Sequence, residues 1–252
     1  IFDFHSCKDL KVSNIMVTNS PSGHVSVNQC NGATFSHIFI NSPTNSPNTD
    51  DFDISFSSNL NFILAYDNFY FYYTFFFLSN YVTIVLPLTA TPLLSMLLEL
   101  LVDQAMELLE FNFFVIILGF ISPCLCTRLN VGTENDNYNV MDYGANGDGK
   151  TDDSQALVNA WSSACKHGGT LTIPAEKSFM VTNVKFRGPC KPKIHIQFDG
   201  KIVAPPKEAW KSGDYLIYID NLDGLTIDGN GKGGADGDGS TWWHCKNCKR
   251  PG

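Results

Sequence analysis

Apolar and polar residues alternate in short runs at both ends of the 252-residue chain, and at the N-terminal end the runs recur at a regular interval. From Phe2 to Val17 the alternation is that of strands with one face covered. Phe2, Phe4, Leu10 and Val12 are matched 23 residues later by Val25, Val27, Ala33 and Phe35, and 27 residues after that by Phe52, Ile54, Leu60 and Phe62. Cys7 and Cys30 keep the same interval of 23. A repeat of this length with its apolar positions in register predicts stacked β-coils, because one coil cannot cover its own inner face and its neighbours must bury it.

The C-terminal block, residues 137–252, opens differently. A Gly/Asp-rich turn at 139–153 leads into a helical pattern, where Asp152, Asp153 and Ser154 can each offer a side-chain oxygen to the unpaired first-turn amides. Ala156, Leu157, Ala160, Trp161 and Ala164 recur at helical spacing, and Gly168-Gly169 ends the element. The period then changes. Residues 170–173, 180–181, 184–186, 194–198, 215–219 and 225–227 are short alternating runs bounded by Gly, Pro, Asn or Asp, and they predict strands. Ile194, Ile196 and Ile202 are read as the rung set that returns at Ile217, Ile219 and Leu225, again 23 residues on, and residues 229–239 as a flexible loop.

The stretch between the blocks has another character. Residues 68–98 carry no charge and include Phe69-Tyr-Phe-Tyr-Tyr-Thr-Phe-Phe-Phe-Leu78. Length and apolarity fit a membrane span. The mixture of Phe, Tyr, Ile, Asn and Leu is also that of translated AT-rich non-coding sequence, which is the favoured reading for an apolar insert at 63–105. At 106–126, Met106 reads as a start, 111–121 has the length of a signal-peptide core, and Cys124-Leu-Cys126 places small residues before Thr127, although Glu107 and Glu110 stand where positive residues belong. The chain thus divides into 1–62, 63–105, 106–126 and 127–252.

The segments at 139–156, 168–174, Gly188-Pro-Cys190, 200–206, Trp210-Lys-Ser-Gly213, Asp223-Gly-Leu-Thr-Ile-Asp-Gly229 and Gly239-Ser-Thr-Trp-Trp243 together resemble the opening third of a plant polygalacturonase, of glycoside hydrolase family 28. The resemblance implies an all-β fold, a right-handed parallel β-helix with one N-terminal capping α-helix, and hydrolysis of galacturonan in pectin. It also implies a bridge between Cys165 and Cys190. Phe4-His-Ser-Cys-Lys-Asp-Leu-Lys-Val-Ser-Asn14 and Asn45-Ser-Pro-Asn-Thr-Asp50 resemble the family's middle coils, which in the family follow the part found here at 137–252. The order is therefore inverted, and Lys249-Arg-Pro-Gly252 reads on into Ile1-Phe-Asp-Phe-His5. The simplest origin is two tandem gene copies, with a true circular permutation as the alternative. Phe2 and Phe4 are expected to continue the rungs of Ile217 and Ile219.

Charge changes the picture only locally. The net charge of −8 belongs to residues 1–136, with 3 Lys/Arg against 12 Asp/Glu, whereas 137–252 hold 14 against 13. No basic run points to nucleic acid, and an anionic polymer such as pectin needs a local basic groove instead. Among the eight cysteines, Cys245 and Cys248 form a C-x-x-C without a second pair, which favours a disulfide over zinc and an oxidising compartment, and the resemblance implies a secreted, extracellular or cell-wall location. No metal or cofactor is expected. Residues 146–153 lack the bidentate Glu of a calcium loop, and His5, His24, His37, His167, His195 and His244 show no ligand spacing. His195 is expected to face solvent. Trp242-Trp243 leaves two readings open, sugar stacking and packing.

Inverting glycoside hydrolysis requires a protonated carboxyl for the leaving oxygen and a separate carboxylate that activates water. By resemblance Asp50 is the water-activating carboxylate, with Asn48 and Thr49 beside it. Asp51 stands where the family has Gly, and the family's Gly-Asp-Asp, Gly-His-Gly and Arg-Ile-Lys motifs are absent. The expectation is a monomeric, secreted polygalacturonase by descent that meets pectin or polygalacturonate but does not cut it. A non-catalytic polysaccharide-binding β-helix and a membrane-anchored remnant using 68–98 are the alternatives.

Overall fold

A strand of three to five residues buries only two or three side chains, so strands this short persist only when each is hydrogen-bonded on both sides and their inner faces share one core. The computed structural model describes residues 1–43, 46, 52–63, 136–210 and 213–244, with the backbone alone at 82–85. The first block holds β1 (Phe2–His5), β2 (Lys11–Ser13), β3 (Met16–Thr18), β4 (Val25–Asn28), β5 (Thr34–Ser36), β6 (Phe39–Asn41), β7 (Phe52–Ser55) and β8 (Leu60–Ile63). A further strand, β9 (Val82–Val85), runs parallel to β8. The second block holds β10 (Asn137–Asn139), β11 (Asp148–Asp152), helix α1 (Ser154–His167), β12 (Gly169–Ile173), β13 (Ser178–Met180), β14 (Val184–Arg187), β15 (Ile194–Phe198) and β16 (Lys201–Val203). It closes with β17 (Ile217–Asp220), β18 (Thr226–Asp228), β19 (Gly234–Asp236) and the single turn α2 (Ser240–Trp243).

These strands build three parallel sheets in the orders β14-β17-β1-β4-β7, β10-β12-β15-β18-β2-β5-β8-β9 and β11-β13-β16-β19-β3-β6. The chain visits the three sheets in turn, so the architecture is a parallel β-helix. The two blocks stack as one wall. Phe2 and Phe4 pair with Ile217 and Ile219, Val12 with Ile227, and Val17 with Ala235, one contact in each sheet. In the first block the intervals of 23 and 27 hold residue for residue: Phe2 pairs with Val25 and Val25 with Phe52, and Val12 pairs with Phe35 and Phe35 with Phe62.

The interior is an aromatic and aliphatic column. Phe35 stacks on Phe62 at 5.3 Å and meets Phe4 edge-on at 5.7 Å, with Phe4, Phe35 and Phe62 all fully buried. Removing each such ring from water contributes about 2–3 kcal/mol. Cys7 and Cys30 lie buried on successive coils, where the Cys7 amide donates to Cys30 Sγ at 3.3 Å. The hydrogen bond with Cys30 and burial push the Cys7 thiol up, so it is a protonated core group.

Helix α1 buries Ala156, Leu157, Ala160, Trp161 and Ala164, the five positions its spacing selects, and lies against β10, β12 and β14. Trp161 stacks on Phe186 at 4.9 Å and its Nε1 donates to the Arg187 carbonyl at 3.2 Å. The Cys165–Cys190 disulfide ties the helix to the segment that follows β14. Of the capping candidates, Asp153 occupies the N-cap position without capping: its carboxylate instead accepts from the amides of Asn146 and Gly147 at 2.7 and 3.0 Å. The first-turn amide of Ser154 donates to Asp152 at 3.1 Å.

Three expectations from the sequence are corrected, and the two readings left open at Trp242-Trp243 are decided. The interval of 23 fails in the second block, where Val184 and Phe186 pair with Ile217 and Ile219, while Ile196 pairs with Leu171 and Ile227 in a different sheet. Longer excursions at 188–193 and 204–216 lengthen these coils, so the shorter period aligned strands of two sheets. Residues 229–239 are not simply a loop, because β19 runs through them between β16 and β3. Its Gly234 shows no alternation, yet a Cβ there would run into the Met16 carbonyl, so close strand packing explains the glycine. His195 is half-buried instead of solvent-facing, and its Nε2 is buried with no partner among the described residues. Finally, α2 adds a second helix: Trp242 is buried edge-on to Trp210 at 6.4 Å, and Trp243 Nε1 donates to the Ser20 carbonyl at 2.9 Å, so both indoles pack.

The apolar stretch at 63–105, with 68–98 read as a candidate span, and 106–126, read as a signal-like segment, lie outside the described residues apart from Ile63 and β9. So do Cys245 and Cys248. No helix among the described residues is long and apolar enough to cross a membrane.

Candidate functional site

With the inner positions of the five-stranded sheet given to Val, Ile and Phe, strand alternation turns the other residues outward in two columns that run across the strands. One column is Lys185, Tyr218, Asp3, Ser26 and Asp53. The other is Arg187, Asp220, His5, Asn28 and Ser55. All ten carry polar groups. Neighbouring strands lie about 4.8 Å apart, so the five strands present a polar face about 19 Å long.

The second column is linked by charge. His5 Nδ1 lies 3.2 Å from Asp220 Oδ1 and 3.0 Å from Ser6 Oγ, and Arg187 Nε lies 3.9 Å from Asp220 Oδ2. Asn28 Oδ1 is buried and has no partner among the described residues. In the first column Asp3 is only 4% exposed. Burial pushes its carboxyl above the usual range, against a hydrogen bond with Ser26 and the nearby His5. Tyr215 and Tyr218 stack at 6.2 Å, and burial, together with surrounding carboxylates, raises both phenols, so they remain neutral donors. A pocket of about 160 Å³ opens where Tyr215, Ser22, Gly23, Ser26 and Asp53 meet.

Asp50, Asn48 and Thr49 lie outside the described residues, as does Asp51, and β7 begins two residues after Asp50 in the sequence. The structure therefore brings together a set that motif reading did not single out: Asp3, His5, Arg187, Tyr218 and Asp220. The signal was present in the repeat. The same intervals that align Phe2, Val25 and Phe52 also align Asp3, Ser26 and Asp53 one residue later. Among the described residues no group of three or more His, Cys, Asp or Glu could hold a metal ion. The aspartates of 146–153 are engaged by backbone: Asp148 accepts from the amides of Thr151 and Lys150 at 2.7 and 2.8 Å, which holds its carboxyl down at about 2.

The profile described as Glycosyl hydrolases family 28 matches residues 1–66 and 165–251, more than half of the chain. A probable polygalacturonase of Arabidopsis thaliana is 40% identical over 122 residues, covering 47% of this chain and 26% of the relative. A polygalacturonase of Chamaecyparis obtusa is 42% identical over 113 residues, covering 43% and 22%. One from Persea americana is 36% identical over 114 residues, covering 44% and 24%. The matched part of the chain thus spans about a quarter of the length of these curated relatives.

Proposed function

This chain belongs to the glycosyl hydrolases family 28, and on that footing we propose that the outer face of its five-stranded sheet receives the galacturonan of pectin. The relatives' names point to that polymer, and the continuous polar face that ends in β7, the strand into which the Asp50 motif runs, carries the reading. A linear sugar chain laid across the strands meets two polar side chains at every rung, cationic on β14 and hydroxyl, carboxylate, imidazole or amide on the others.

Asp50, with Asn48 and Thr49 beside it, is the carboxylate that activates water. A matching proton donor is what the chain lacks, since the family's Gly-Asp-Asp pair is absent from its sequence along with Gly-His-Gly and Arg-Ile-Lys. Cleavage by inversion needs both carboxyls. These 252 residues are thus read as part of a secreted, monomeric pectin hydrolase by descent, one that holds the polymer in the cell wall and, as given, turns it over little or not at all.

Two measurements on the purified full chain test this. Retention on immobilised polygalacturonate, weakening as salt rises, is expected together with no growth of reducing ends in solution. Passage through the column unretained overturns the binding site, and steady release of reducing ends overturns the loss of catalysis.

A further inference from the structure

The outward positions of the five-stranded sheet hold two permanent cations, and both are on β14. Lys185 stands in register with Tyr218 and Arg187 with Asp220. The Arg187 guanidinium lies 5.8 Å from the centre of the Tyr218 ring. Tyr218 is itself part of a near-parallel row, with Tyr215 at 6.2 Å and 29° and His5 at 6.2 Å and 26°. Further along the face the fixed charges are Asp220, Asp3 and Asp53, all negative when ionised. Charge alone therefore draws an anionic polymer to this end of the face, while the rungs beyond it offer hydroxyl, amide and carboxyl hydrogen-bonding groups.

Arg187 is also poorly satisfied. Its side chain is 60% exposed, and 3.9 Å to Asp220 is well beyond the roughly 2.8 Å of a charge-assisted hydrogen bond. The guanidinium fork is thus available for the bidentate geometry that a carboxylate offers. A tyrosine ring beside it supplies the flat apolar surface that a pyranose ring needs.

From these contacts we propose that Lys185, Arg187 and Tyr218 form a subsite for one uronate residue, its ring against Tyr218 and its carboxylate between the two cations. The chemical class of the ligand rests on the galacturonan reading above; the location does not. Asp220 is a competitor in this arrangement, since it draws on the same guanidinium.

Calorimetric titration of the full chain with trigalacturonate, against neutral trigalactose, tests the subsite. Joint replacement Lys185→Gln and Arg187→Gln is expected to weaken trigalacturonate binding about tenfold or more. Tyr218→Ala weakens it while Tyr218→Phe keeps it. Asp220→Asn strengthens it by about two- to fivefold, the opposite sign to any structural damage. Melting temperatures of these surface variants serve as the folding control. If the wild-type chain binds trigalacturonate and the double variant binds it equally well, the subsite is wrong and the galacturonan reading stands. If trigalactose binds as tightly as trigalacturonate, a uronate is the wrong class. If neither trigalacturonate nor polygalacturonate binds, both readings fall together.

Discussion

Asp3 shows how one side chain's setting translates into behaviour. It sits in the middle of a polar face, yet at 4% exposure it is nearly without water, and burial makes its neutral form the better fit to the fold. A carboxyl raised in this way contributes stability below its unfolded pKa, and that contribution is lost as pH rises through the folded value. Asp3→Asn should therefore raise the melting temperature at pH 7, with the advantage shrinking toward pH 3; an equal effect at both values would show that burial is not the cause. Phe35 tests the interior. It touches Phe4, Phe52 and Phe62, so Phe35→Ala should cost about 3–5 kcal/mol in denaturant unfolding. Phe35 is read as inward from the repeat, and the same alternation turns Asp3 outward. What alternation does not convey is that an outward aspartate is covered, because that depends on Tyr215 and Ser26, which arrive from other coils.

Helix α1 depends on two attachments of different kinds. Trp161 packs on Phe186, while the Cys165–Cys190 disulfide closes a loop with a sequence separation of 25. Loop-closure entropy for that length gives about 3–4 kcal/mol, so Cys165→Ser should lower the unfolding free energy by about that amount in denaturant titration, with the slowest-exchanging sheet amides losing protection by the same margin. The helix was readable because its apolar positions, Ala156 to Ala164, keep one face over more than two turns and a glycine pair stops it. Strand β19 was not, since Gly-Ala-Asp offers almost no alternation and its place is decided by Lys201–Val203 on one side and Met16–Thr18 on the other. The coil interval of the second block misled for a related reason. Loops longer than those of the first block separate its rungs, so an interval of 23 carried over from there joins strands of two different sheets.

Across the whole molecule, the later segment of the chain forms the lower coils and the earlier segment continues them, through three sheets at once. The side chains at this junction are ordinary rung residues, Phe2 on Ile217 and Phe4 on Ile219, so connectivity matters little to the stack. A rearranged chain in which residues 136–252 precede 1–63 should thus fold with the same register, seen as matched exchange protection of the Ile219 and Phe4 amides. Independent unfolding of the two blocks would count against a shared core. The inward and outward sides of nearly every strand follow from residue order, since a period of two needs only the local backbone. The partner of each strand follows only where the coil interval can be read, as in the first block, and not in the second. Which rung lies on which is a contest among many similar apolar faces, won by the register that buries all three sheets together, and from it come the two polar columns and the cationic end where a uronate can bind.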